Sequence, residues 1–151
     1  MPLFYITGPT ASGKTSIGEE LRTKGYEVHD TDTEGMRYRT DKDTLELAEK
    51  AILNLHEKAK GKTIFLVGIT ANDLDFKELF DKIFLLSIDE QSQAHRINTR
   101  TNHSYGKLPH QFAAAQKWRP VQIEKYRATD AVEIDASLPL DQVVKKILES
   151  I

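Results

Sequence analysis

Gly8-Pro9-Thr10-Ala11-Ser12-Gly13-Lys14-Thr15 spells G-x-x-x-x-G-K-T, a loop built to wrap a polyphosphate. An apolar run, Leu3-Phe4-Tyr5-Ile6, precedes it, and a helix-like stretch from Ser16 to Arg22 follows. Strand, loop and helix in that order are the context the motif requires. The glycines let the backbone approach the phosphates closely. Successive N–H groups, with Ser16 closing the run, then point into a hollow at the positive end of a helix dipole. Lys14 is expected to reach the β- and γ-phosphates, and the Thr15 hydroxyl to ligate Mg²⁺.

Outward from the loop, short apolar runs alternate with helical stretches. Strands are expected at 3–6, 26–29, 63–67, 83–88 and 131–134. Helices are expected at 16–24, 76–80, 89–99 and 140–151, with a further one opening at Pro109 and kinked or restarted at Pro120. Asp43-Thr44-Leu45-Glu46 reads as a capping box, opening a helix that carries Leu45, Ala48, Ile52, Leu55 and Ala59 on one face. Thr63–Val67 is nearly all apolar, as a strand covered on both faces would be. This alternation predicts an α/β fold, a parallel five-stranded sheet with helices on both faces. Ligands then bind at the carboxyl ends of the strands.

The chain has 151 residues and a formal net charge of -2. That length suits one domain with its own core, taken as residues 1–151. The charge gives no sign of a general nucleic-acid binder. No cysteine is present, which excludes disulfides and thiolate metal sites and fits a cytoplasmic protein. No apolar stretch approaches the ~18 residues of a membrane span, and the residues before the loop are too few for a signal peptide. The expected partners are a nucleoside triphosphate and a small-molecule acceptor, bound by a monomer or small homo-oligomer.

Carboxylates and arginines cluster at the predicted strand ends. In His29-Asp30-Thr31-Asp32, one acid can hold Mg²⁺ and the other can take a proton from an attacking hydroxyl. Asp30 is the metal candidate and Asp32 the catalytic and acceptor candidate; the second strand is expected beside the phosphate-loop strand. Asp32-Thr33-Glu34-Gly35 also spells D-x-x-G, but it lies before the third strand and no N-K-x-D follows, so the match is a coincidence. Arg37 and Arg39 flank Tyr38 and could clamp an anionic or planar acceptor. The bland reading is a solvated loop. Arg96 and Arg100 share a helix face, and with Arg119 they flank the polar loop Asn102–Lys107. Such a segment, about 100–119, is suited to a closing lid, with Arg100 brought onto the phosphates. Asn72 or Asp73, after the third strand, could contact the acceptor, although no acid ends that strand directly.

These residues resemble the small P-loop kinases, the group of adenylate, shikimate and gluconate kinases, and small bacterial ATP-binding, kinase-like proteins. The likeness covers nearly the whole chain, and the phosphate loop is its most specific part. Asp30-Thr31-Asp32 resembles the D-x-D of shikimate-kinase-like members. Ile83–Ile88 with Arg96 and Arg100 resembles the strand and helix leading into the family's lid. Ile134–Leu140 resembles the loop bordering the adenine, which implies base contacts from Ala136 and Leu138, with Arg96 stacking on the base. The resemblance implies an ATP- and Mg²⁺-dependent phosphotransferase with a three-layer P-loop fold and a small lid. Gly68-Ile69-Thr70 stands where shikimate kinases carry three glycines, and the Asp-Gly-Phe-Pro-Arg segment of adenylate kinases is lacking. Those departures argue against the named substrates. A slow ATPase and a nucleotide-binding module without turnover remain open alternatives.

Overall fold

The computed structural model describes residues 2–32, 36–100 and 105–151. The D-x-x-G stretch 33–35 and Asn102 of the expected lid loop fall outside them. Five parallel strands form one sheet: β1 (Leu3–Thr7), β2 (Glu27–Asp30), β5 (Ile64–Val67), β6 (Lys82–Ser87) and β7 (Val132–Asp135). Their order across the sheet is β2-β5-β1-β6-β7. The most apolar strands take the interior places, where both faces are covered. β1 pairs Leu3 with Ile64 on one side and Tyr5 with Ile83 on the other.

Side chains alternate along each strand, so the sheet has two cores. Phe4 and Ile6 face Ile17 and Leu21 of α1 (Lys14–Thr23) and Val143, Val144 and Ile147 of α5 (Leu140–Glu149). Leu3 and Tyr5 face Ile52 and Leu55 of α2 (Glu49–Lys58) and Ile123 and Tyr126 of α4 (Pro109–Arg127). This is the expected three-layer α/β arrangement. Fully burying one such side chain contributes roughly 1.5–3 kcal/mol. α3 (Glu90–Thr99) opens as expected, with Asp89 Oδ1 accepting from the Ser92 amide at 2.7 Å. Among the described residues no helix is long and apolar enough to cross a membrane.

Four local expectations change. The supposed capping box lies in a hairpin. Asp43 has φ +61 and sits in its turn, closed by Thr40 N donating to Thr44 O at 2.8 Å. The flanking strands are β3 (Arg37–Arg39) and β4 (Leu45–Leu47), paired antiparallel, and α2 starts only at Glu49. Tertiary bonds outweigh the capping pattern: Ala71 N donates to Leu45 O and Leu47 N to Asn72 Oδ1. α4 runs unbroken through Pro120, at the loss of the one amide that proline lacks. The short helix expected over 76–80 is a 3₁₀ helix that begins three residues earlier, Asp73–Leu79. Finally, β2 is an edge strand with β5 between it and β1, so Asp30 and Asp32 do not follow a neighbour of the phosphate-loop strand.

Candidate active site

The loops that follow β1, β2, β5 and β7 line one cleft at the carboxyl edge of the sheet. The phosphate loop follows β1 directly. Gly13 precedes α1 in a left-handed conformation, φ +97, which glycine adopts without strain. No side chain caps α1, so its first amides are left for a ligand. Ser12 Oγ is buried and has no hydrogen-bond partner among the described residues. Lys14 folds back over the loop, donating to Gly8 O at 2.5 Å and Pro9 O at 2.9 Å. Burial of its ammonium lowers its pKa to about 8, although the Asp32 and Asp30 carboxylates pull the other way. The loop is braced from outside by α3. Gln93 donates to Thr10 O at 3.0 Å and to Ala115 O at 3.3 Å, and Arg96 donates to Ala11 O and Ala136 O.

The loop forms one wall of a cleft of about 1140 Å³. Thr10 to Ser16, Asp30, Asp32, Arg37, Arg39, Arg96, Arg100, Ala136 and Leu138 all line it, so most of the sequence-predicted site is gathered in one place. Burial raises the pKa of Asp30, while the hydrogen bond from Asp32 N opposes that rise. Asp32 Oδ1 accepts an ion pair from Arg37 at 3.1 Å. Arg39 pairs with Asp43 at 2.8 Å across the hairpin turn. Arg100 donates to Tyr105 O, and Lys107 donates to Arg100 O, so the two flanks of 101–104 are tied together. The Arg100 charge is close enough to Lys14 to contribute to lowering its pKa.

Two expected acceptor contacts are placed elsewhere. The Asn72 amide is engaged at both ends by the Leu47 backbone. Arg119 lines a separate hollow of about 350 Å³ with Asp89 and Asp135, and donates to Ile88 O at 3.3 Å. One residue along the helix turns a side chain by about 100°, which carries Arg119 off the face that Trp118 presents to the cleft.

The structure also brings in residues the sequence reading passed over. Trp118, Gln122 and Lys125 of α4 line the cleft, with Ile69, Thr70 and Ala71 after β5. Their i, i+4, i+7 spacing was the available signal. Asp73 is fully buried beneath them. Its carboxylate accepts from Tyr5 Oη, Tyr126 Oη, Lys125 Nζ and the Thr70 amide. Burial, reinforced by the Asp73 charge, pushes both tyrosine pKa values up, which keeps their hydroxyls protonated as donors.

A family model described as an AAA domain matches residues 5–119. The chain belongs to that family. No curated protein matches it. Among solved structures, this AAA-domain chain is similar to a gluconokinase from Sinorhizobium meliloti 1021, with 19% identity, a TM-score of 0.65, and 98% and 90% of the two chains covered. It is similar to a shikimate kinase from Acinetobacter baumannii in complex with shikimate, with 16% identity, a TM-score of 0.65, and 99% and 92% covered. A deoxyadenosine kinase from M. mycoides with bound dATP matches at 17% identity and a TM-score of 0.62, with 99% and 98% covered. The AAA-domain chain thus has the fold of the small P-loop kinases.

In phosphoryl transfer from a nucleoside triphosphate, Mg²⁺ usually accompanies the phosphates. Among the described residues no three His, Cys, Asp or Glu side chains are grouped to hold a metal ion by themselves. A Mg²⁺ arriving with nucleotide phosphates needs only one or two protein oxygens. Thr15 and Asp30 both line the cleft, and a hydroxyl and a carboxylate are oxygen ligands of that kind.

Proposed function

We propose that the protein is an ATP-dependent phosphotransferase acting on a small molecule. The observation that carries this reading is that one cleft holds the phosphate loop with Lys14, the acids Asp30 and Asp32, and a further walled space beyond them. A hydrolase needs room only for water. In the proposed reaction an acceptor oxygen forms a bond to the γ-phosphorus as the bond to the β–γ bridging oxygen breaks. ADP leaves with that electron pair, and Asp32 takes the acceptor proton. Lys14 exchanges the carbonyls of Gly8 and Pro9 for phosphate oxygens. Thr15 and Asp30 would hold Mg²⁺, which offsets charge on the phosphate oxygens. Ala136, Leu138 and Arg96 border the base. Asp32 must first exchange Arg37 for the acceptor, and the freed Arg37, with Arg39, is suited to an anionic group on it. We take residues 1–151 as one domain with a lid near 100–119, in which Arg100 supplies charge to the phosphates.

A slow ATPase or a nucleotide-binding module is the second reading. One observation favours it: Gly68 follows β5 where an acid commonly stands, and the nearest acid, Asp73, is already engaged by Tyr5, Tyr126 and Lys125. ADP release is to be measured with Mg·ATP alone and with nucleosides, nucleotides, sugars and sugar acids. A strong rise with one acceptor supports the kinase. A constant slow rate, or none, supports the second reading.

A further inference from the structure

The space beyond the phosphates is walled by one face of α4. Trp118, Gln122 and Lys125 make a stripe along it, and all three line the cleft. The stripe can be located from its neighbours. Gln93 ties Thr10 O to Ala115 O, so the helical turn before Trp118 abuts the tip of the phosphate loop. At its other end Lys125 donates to Thr70 O and Ala71 O, on the floor after β5. The stripe therefore runs from the loop tip to the floor after β5, where Gly68 to Ala71 also line the cleft.

Its three members are in different states. Lys125 is pinned by Asp73 and two carbonyls. The Gln122 side chain makes no hydrogen bond among the described residues. Trp118 is 48% exposed, a large ring lining the cleft, with the Lys117 ammonium over it 5.2 Å from its centroid. A half-exposed indole beside an unengaged amide is a pair that reads flat heterocycles: the ring stacks on the side away from Lys117 and the amide bonds the heterocycle's edge.

We propose that Trp118 and Gln122 are the acceptor's recognition residues, and that the acceptor is a nucleoside or nucleoside monophosphate. This rests on the phosphotransferase reading and narrows it to one substrate class. The base lies on the open face of Trp118 with its edge on Gln122, which directs its ribose or phosphate toward Asp32 and the phosphate loop. Arg37 and Arg39, across the cleft, meet a monophosphate if one is present.

Trp118 is the chain's single tryptophan, so its emission reports this subsite alone. The protein is saturated with Mg²⁺ and a non-hydrolysable ATP analogue, with binding verified by calorimetry. It is then titrated with adenosine, guanosine, cytidine, thymidine, their 5′-monophosphates and gluconate. At least one nucleoside or monophosphate is expected to change the emission saturably, and gluconate is expected to leave it unchanged. In turnover with that compound, Trp118→Ala should raise its KM at least about tenfold and Trp118→Phe by less than about threefold, as loss and retention of stacking require. Gln122→Leu should reorder the preference among bases. A response to gluconate alone, or none to any nucleoside while the analogue binds, overturns this proposal and leaves phosphotransfer standing. A Trp118→Ala protein that loses the ATP analogue as strongly as the acceptor overturns it too, because the ring would then belong to the donor. If the analogue does not bind wild type at all, the phosphotransferase reading falls and takes this one with it.

Discussion

At the phosphate end of the cleft, eight consecutive residues, Gly8–Thr15, supply the cradle, and much of its chemistry is backbone. At the other end the walls come from residues far apart in the chain: Arg37 and Leu45 on the hairpin, Ile69–Ala71 after β5, and Trp118, Gln122 and Lys125 on α4. The first is fixed by local geometry, a left-handed Gly13 leading into an uncapped helix. The second is assembled by cross-links between elements. Asn72 staples β4 to the floor, and the buried Asp73 ties α4 to β1 through Lys125, Tyr126 and Tyr5. Gly68 is part of that assembly: a Cβ on it would lie 1.9 Å from Thr31 Oγ1, so only glycine lets β5 end this close to the turn carrying Asp32. A cradle of this local kind serves many acceptors, whereas a composite wall can change its specificity without disturbing the cradle.

The largest effect is expected where one side chain serves the local end. Lys14→Ala should lower turnover by about 10³-fold, near 4 kcal/mol on the barrier, with circular dichroism and melting little changed. Full activity in a folded Lys14→Ala protein would show that the phosphate loop is not the nucleotide cradle. Next comes the composite end. Asp73→Ala takes the shared acceptor from two buried tyrosine hydroxyls and the ion-pair partner from Lys125, and should cost about 3 kcal/mol in urea unfolding. Its acceptor KM should rise more than its ATP KM. Equal changes in both would mean that the two ends are not separately built.

Asp32→Asn should lower kcat by about 10²-fold while moving ATP affinity far less, because a proton acceptor acts on the transition state. Unchanged kcat with the true acceptor would remove Asp32 from the reaction. The smallest effect is the dependence on pH. The free Lys14 loses its proton near pH 8 because its ammonium is buried, and bound phosphate favours the charged form. ATP affinity should be flat in this respect below about pH 8 and fall above it, by at most about tenfold per unit. Calorimetry on either side of that pH reads it, and an affinity that rises through the same range contradicts the assignment.

The same contrast governs what could be read in advance. The phosphate loop and the Asp89 cap were legible because each is decided within a few neighbouring residues, and the parallel sheet because apolar runs alternate with helical stretches all along the chain. The Asp43–Glu46 pattern misled because a hairpin held by Ala71 and Asn72, about 25 residues on, outweighs a local capping preference. The edge position of β2 could not be read either, since strand order is set by which apolar strands gain most from burial in the middle of the sheet. Arg119 and Trp118 are adjacent in sequence, and only the rotation of α4 decides which one meets the cleft.

The claim on which the rest depends is that this cleft moves the γ-phosphoryl group of ATP to a small molecule. Phosphorus NMR of Mg·ATP with the intact protein follows that group directly, with and without each nucleoside, nucleotide and sugar acid. A new phosphate-ester or phosphoanhydride resonance is expected to grow in step with ADP in the presence of one acceptor class, and to be absent with Lys14→Ala. Inorganic phosphate as the sole product, at one rate whatever acceptor is present, would contradict it.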